Sequence, residues 1–251
     1  PNQGYAKYID VNSFIDYLII NELARNNDGF KKSSYFHKDK DSTTAIAKLN
    51  AGPVWDFDWA WKNINECSIF AATDGSGWAH QVNDCSPDVN SPGWYVRLLQ
   101  DINFQNQFRC RWETLRTTIL SNTALNNAID THAGYLSQAQ NRHFEKWGNL
   151  GVNTGTPEME ADPATFEGQI TKFKNWINLR LAWLDANIPG DANSCNLGTN
   201  AAFSNRNYLL YPNPVSDKLY FSSHTFLPES IEIFDASGKS IYKITEFSSD
   251  T

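Results

Sequence analysis

The stretch "GPVWDFDWAW", residues 52–61, sets two acids two residues apart, Asp56 and Asp58, among Trp55, Phe57, Trp59 and Trp61. Read as an extended segment over 54–59, it sends both carboxylates to one face and Trp55, Phe57 and Trp59 to the other. Two carboxylates about 7 Å apart on one strand face repel each other unless water or a cation separates them. A buried, aromatic-rich setting makes that repulsion harder to screen. A hard divalent ion, held by one or two carboxylates plus phosphate oxygens, resolves the conflict. An edge strand with a solvated acidic face resolves it equally well, so the pair alone leaves both readings open.

Upstream, Asp10 is placed to cap a helix whose apolar positions Val11, Phe14, Ile15, Leu18, Ile19 and Leu23 recur at helical spacing. The pattern runs out in "RNNDG", where Gly29 offers a positive φ for the turn. Two strand-like runs follow, "SSYFHKD" and "AIAKLNAGPVWDFDW", around the polar tip "KDSTT", and they predict a hairpin that carries the acid pair. Turn signals crowd residues 67–92, where "TDGSG" lacks the later acids of a calcium-binding EF-hand loop and reads as a turn.

Residues 94–188 read as mainly helical. One pattern carries Trp94, Leu98, Phe104, Phe108, Trp112, Leu115 and Ile119, in one or two pieces. A second spans 121–147 with Leu125, Ile129, Leu136 and Phe144. A third opens at Asp162 and Pro163 and carries Phe166, Ile170, Phe173, Ile177, Leu181 and Leu184. Residues 189–207 form a polar linker, and 208–251 alternate as short strands around "ASGK". The expected class is therefore α+β, with a helical domain over 1–188 and a small all-β module over 208–251.

The 251 residues carry a net charge of −7 and provide no Lys/Arg stripe to neutralise phosphates, which excludes a nucleic-acid backbone as the main partner. No run reaches the roughly 18 apolar residues of a membrane span. The chain opens "PNQGYAKYIDV" without an initiator Met or an apolar leader, and it reads as a fragment or processed product. Cys67, Cys85, Cys110 and Cys195 form no CxxC pair, and the five histidines no HxH or HxxH. Two disulfides, with Cys67 joined to Cys85 in one loop, imply an oxidising compartment; four buried thiols are the alternative.

The order of parts matters more than the acid pair alone. A helix ending in Asp28, a hairpin and then "DFD" repeats the order in which protein kinases place a catalytic-loop Asp and a metal-binding Asp. The stretch "YIDVNSFIDYLIINELARNNDGFKKSSYFHKDK", the "GPVWDFDWAW" segment and "FKNWINLRLAWLDANI" at 173–188 together resemble the CotH kinase family, over about residues 5–188. The resemblance implies a mainly helical kinase-like C-lobe and an atypical protein kinase that transfers phosphate from ATP, with Mg²⁺ or Mn²⁺, to Ser or Thr. It implies Asp28 as the catalytic-loop acid and Asp56 as a metal ligand, with Asp58 (metal or cofactor) and Asn21 (cofactor) in support. Lys31 and Lys32 stand beside Asp28 as phosphate contacts or a solvated charge pair.

Two features depart from the kinase pattern. Five residues after Asp28, where ordinary kinases have a metal-binding Asn, stands Ser33, and no nucleotide lobe precedes the first helix. The chain is therefore expected to be the C-terminal part of a longer protein and to phosphorylate nothing by itself. "YPNPVSDKLYF" and "IEIFDASGKSIYK" resemble the type A sorting domain of the type IX secretion system, which implies a truncated β-sandwich, the secretion machinery as partner, and a secreted or outer-membrane cell-surface location. "DST" at 41–43 resembles an O-glycosylation acceptor found with this route, at Ser42 or Thr43. The competing reading is a non-catalytic surface structural or adhesive protein that uses the kinase-like fold as scaffold. The sequence does not name a protein substrate.

Overall fold

The computed structural model describes residues 4–43, 46–85 and 90–197, and in the C-terminal part 208–211, 218, 220–223, 230–235 and 239–244. The chain divides into two compact units, Pro1–Cys195 and Asn196–Thr251. The architecture is α+β: helices dominate the first unit and short antiparallel strands are few.

Helix α1 (Val11–Ala24) starts where expected, with the Asp10 carboxylate accepting from the Ser13 N–H at 2.7 Å. It ends differently. Arg25, not Gly29, takes the left-handed conformation, at φ 46°, and its N–H closes onto the Asn21 and Glu22 carbonyls. Phe14, Ile15, Leu18, Ile19 and Leu23 are buried, as the spacing predicts. They pack with α4 (Ile102–Arg116) and α7 (Phe166–Asn187) in one core containing Phe104, Phe108, Trp112, Ile177, Leu181 and Leu184.

The hairpin is shorter than predicted. Strand β1 (Phe36–Lys38) pairs antiparallel with β2 (Leu49–Ala51) through three residue pairs only. At Gly52 the φ is +120° and the next bond is a cis peptide to Pro53, which has no N–H to continue the ladder. The acid pair therefore lies beyond the hairpin, in a loop that turns at Asp58 and Trp59, and not on a strand face. Trp55 is 60% exposed and Trp59 38%. The aromatic neighbours do not form the buried wall that the alternating pattern suggested.

Residues 67–92 include two short helical pieces, α2 (Ser68–Ala71) and a 3-10 turn (Ala79–Cys85), within the expected loop. The first helical pattern divides into α3 (Trp94–Leu98) and α4, and Ile119 falls after the helix, exposed. The second divides into α5 (Asn122–Leu136) and α6 (Ala139–Trp147), neither of which carries a fully buried residue. Leu125 and Ile129 are partly buried against the core, whereas Leu136 points to solvent. Helix α7 begins at Phe166, capped by Thr165, whose Oγ1 accepts from the Gly168 N–H at 3.0 Å; Asp162 and Pro163 stay in the preceding loop.

Both disulfides form within the first unit: Cys67–Cys85, with Cα atoms 5.5 Å apart, and Cys110–Cys195, at 5.0 Å. The second carries this unit past α7 into the segment read as linker. There the Arg109 guanidinium donates to the Ile188 carbonyl at 3.0 Å, and the Asp191 N–H donates to Asn106 Oδ1 at 2.8 Å. In the C-terminal unit, β3 (Tyr208–Tyr211) pairs with β4 (Tyr220–Ser223), and β5 (Ile231–Phe234) with β6 (Ser240–Ile244), as two antiparallel ladders.

Candidate active site

Below the turn that follows α1 lies an unusually polar interior. Asn21, Glu22, Arg25, Asn26, Asn27, His80 and Arg180 are all buried. Glu22 bonds to Arg180 at 3.0 Å, to the His80 ring Nδ1 at 2.6 Å, and to the N–H groups of Ala79 and His80. Burial alone would raise the Glu22 pKa, but His80, Arg180 and the backbone donor outweigh it and hold the carboxyl below its ordinary value. Arg180 also donates to the Gly75 and Gly77 carbonyls, and Arg25 to those of Phe70, Ala72 and Ser76. Burial lowers both guanidinium pKa values to about 10, so both stay charged at neutral pH. These two arginines gather the turns of 70–77 around the end of α1.

Asn21 belongs to this interior and not to a cleft. Its Nδ2 donates to the Tyr17 carbonyl at 3.0 Å and its Oδ1 accepts from Asn26 Nδ2 at 3.1 Å. Asn26 Oδ1 in turn receives the Asp28 N–H at 3.3 Å. The Asp28 carbonyl accepts from the N–H groups of Lys31, Lys32 and Ser33, which coils the chain into one tight turn. Ser33, five residues after Asp28, is buried in that turn.

Asp28 opens onto a cleft of about 340 Å³ lined by Asn27, Lys31, Lys32, Trp59, Asn65, Glu66 and Pro157. Its side chain is 20% exposed. Its pKa is raised, first by burial and then by Glu66 and Asp58, against the lowering effect of Lys31 and Lys32. The Lys31 side chain is only 2% exposed, with Nζ 2.7 Å from Glu66 and 3.7 Å from Asp28, so it is neither a solvated charge nor one that faces outward. Lys32 is exposed. Asn27 Nδ2 donates to the other Glu66 oxygen, while Asn27 Oδ1 is buried without a hydrogen-bond partner.

Of the acid pair, Asp58 is close enough to Asp28 to act on its charge, and the neighbouring Trp59 lines the same cleft. Asp56 stands on exposed backbone at φ +60°, a conformation that Asp tolerates better than most side chains. The far end of the loop is tied down by the Trp61 N–H, which donates to the Ala24 carbonyl at 2.9 Å. Among the described residues no three His, Cys, Asp or Glu side chains group as a ready metal cluster. The two exposed carboxylates, Asp56 and Asp58, are nonetheless oxygen donors of the hard type that Mg²⁺ or Mn²⁺ takes together with phosphate oxygens.

Glu66, Asn27 and Trp59 were not singled out as cleft residues in the sequence. Glu66 lies in no motif, and its one signal is its place beside Cys67, whose bridge to Cys85 fixes that loop. Ser42 and Thr43 are exposed in the hairpin connection. No described helix is long and apolar enough to cross a membrane.

The family described as CotH kinase protein matches residues 1–184, and the one described as secretion system C-terminal sorting domain matches residues 209–251. The sorting tail indicates secretion or cell-surface export. Neither the curated proteins nor the solved structures contain a match to this chain.

Proposed function

We propose that this chain, which belongs to the CotH kinase family, is part of a secreted or cell-surface atypical protein kinase that transfers phosphate from ATP to Ser or Thr on a protein. The observation that carries the reading is Asp28, half-buried at the mouth of a polar cleft directly after the first core helix, inside the matched region. In the proposed reaction the acceptor hydroxyl gives its proton to the Asp28 carboxylate as its oxygen bonds to phosphorus, and the bond from the γ-phosphorus to the departing ADP breaks. Asp56 and Asp58 would hold a divalent cation, whose chemistry is to neutralise charge on the phosphates. Asn21 supports this arrangement from beneath, through Asn26 and the Asp28 turn, and not as a cofactor contact.

The sorting tail supports delivery by the type IX machinery to the outer surface, and the two disulfides suit an oxidising destination. A glycan on Ser42 or Thr43 would sit on an exposed hairpin connection. The scaffold reading draws on the exposed Trp55 and Trp59, which suit a binding surface as well as an active site. Phosphate incorporation from γ-labelled ATP with Mg²⁺ by the full-length protein separates the two. Asp28→Asn is expected to lower the rate at least about 100-fold, and Asp56→Ala to lower it and raise the Mg²⁺ concentration needed for half-maximal activity. Equal incorporation by wild type and both variants would sink the kinase assignment.

A further inference from the structure

Asp28 and Glu66 share one ammonium unequally. Lys31 Nζ lies 2.7 Å from Glu66 Oε1, a direct hydrogen bond, and 3.7 Å from Asp28 Oδ1, beyond one. The second Glu66 oxygen accepts from Asn27 Nδ2, so one side chain engages both the residue before Asp28 and the lysine one turn after it. Glu66 is itself well anchored. The Asn65 N–H donates to the Pro157 carbonyl at 2.7 Å, and Cys67 is bridged to Cys85.

We propose that Glu66 is a positioning residue for Asp28: it draws the Lys31 ammonium away from the Asp28 carboxylate, which leaves that carboxylate open to accept a hydroxyl proton. The inference rests on the reading of Asp28 as the catalytic-loop acid. An ammonium bonded directly to Asp28 would occupy an acceptor lone pair and make the carboxylate a poorer base. Among the described residues, the charges that face Asp28 are Lys31 and Lys32 from its own turn, Glu66 from the 65–67 segment and Asp58 from the loop after the hairpin. Lys31 is the buried one of the two lysines. If Glu66 loses its charge, the buried ammonium needs another carboxylate, and Asp28 already stands 3.7 Å from it.

The test uses the full-length protein, γ-labelled ATP and Mg²⁺, with wild type, Glu66→Gln and the double variant Lys31→Met/Glu66→Gln. Glu66→Gln is expected to lower kcat by about tenfold or more with KM for ATP little changed. Removal of the displaced lysine in the double variant should return the rate to within about threefold of wild type, a rescue that a merely structural role would not give. Glu66→Gln as active as wild type, or a double variant as impaired as the single one, overturns the proposal. A crystal structure of Glu66→Gln decides the matter separately from any activity. Lys31 Nζ is expected in direct hydrogen-bond contact with Asp28, and an ammonium that stays beyond hydrogen-bond distance of Asp28 also overturns it. Wild type that incorporates no phosphate instead counts against the kinase reading, and the crystal structure still tests the positioning.

Discussion

Gly29 lies directly on Asn21: a Cβ at Gly29 would stand 2.0 Å from Asn21 Oδ1 and 2.7 Å from its Cγ. The requirement for glycine here is one of space, since the left-handed residue of this turn is Arg25. Gly29→Ala must push Asn21 off its bonds to Tyr17 and Asn26, and with it the Asp28 turn. The expected cost is about 1–3 kcal/mol, typical of overpacking. Gly134 is the control, exposed in the last turn of α5 with nothing within 4 Å of an added Cβ. Gly134→Ala should raise stability by up to about 1 kcal/mol. Thermal unfolding of the two variants checks both, and a destabilised Gly134→Ala would show that space is not the deciding factor.

The Glu22 cluster predicts how stability depends on pH. A carboxyl whose folded pKa lies below its unfolded value lets the unfolded chain bind more protons, so stability rises with pH through that window. The Glu22 contribution is therefore fully present above its ordinary value of 4.5 and is lost as pH falls through the lower folded value. Glu22→Gln leaves Arg180 buried without its carboxylate, at an expected cost of about 3–5 kcal/mol. The variant should also lose part of the acid-side slope. Chemical denaturation from pH 3 to 7 measures both, and an unchanged slope would remove Glu22 as its source.

What the sequence made legible follows from periodicity and chemical type. The α1, α4 and α7 stripes were readable because their apolar residues all face one core, so spacing and burial coincide. The α5 and α6 stripes were over-read: the same spacing there lies against solvent or a partly covered flank, which periodicity cannot distinguish. The length of the hairpin was over-read because alternation continues past Gly52, while the backbone leaves the ladder at that glycine and Pro53. The position of Asp28 was legible from the helix end before it. Glu66 was not, since it reaches Lys31 and Asn27 across 35 and 39 residues of chain. Glu22, Arg25 and Arg180 escaped for a related reason: charged residues on a helix or at its end read as solvent-facing until their partners are known.

The two disulfides should contribute unequally. Cys67–Cys85 closes 18 residues and Cys110–Cys195 closes 85. Chain entropy assigns them about 3 and about 4.5 kcal/mol respectively. Cys110→Ser/Cys195→Ser is therefore expected to lower the unfolding midpoint more, while the cleft around Asp28 is retained. Cys67→Ser/Cys85→Ser should cost less stability yet more phosphotransfer, because Cys67 adjoins Glu66. Unfolding curves and phosphate incorporation on both double variants check this, and the opposite ranking of activity would separate the Cys67 bridge from the cleft.

The first unit is expected to fold without the second. Its core, its buried ion cluster and both disulfides all lie within Pro1–Cys195, and the last of these, Cys110–Cys195, closes at its final residue. A chain ended after residue 197 keeps every one of those interactions, including the Arg109 bond to the Ile188 carbonyl and the Asp191 bond to Asn106. It should unfold in one cooperative step within a few degrees of the longer chain's main transition, with both disulfides formed. A chain ended after residue 188 loses Cys195 and the Asp191 bond to Asn106 and leaves Cys110 as an unpaired thiol, so its midpoint should fall by at least the share assigned to that bridge. Calorimetry and thiol titration of the two truncations measure the difference. Equal midpoints would show that the covalent closure past α7 adds nothing to the fold.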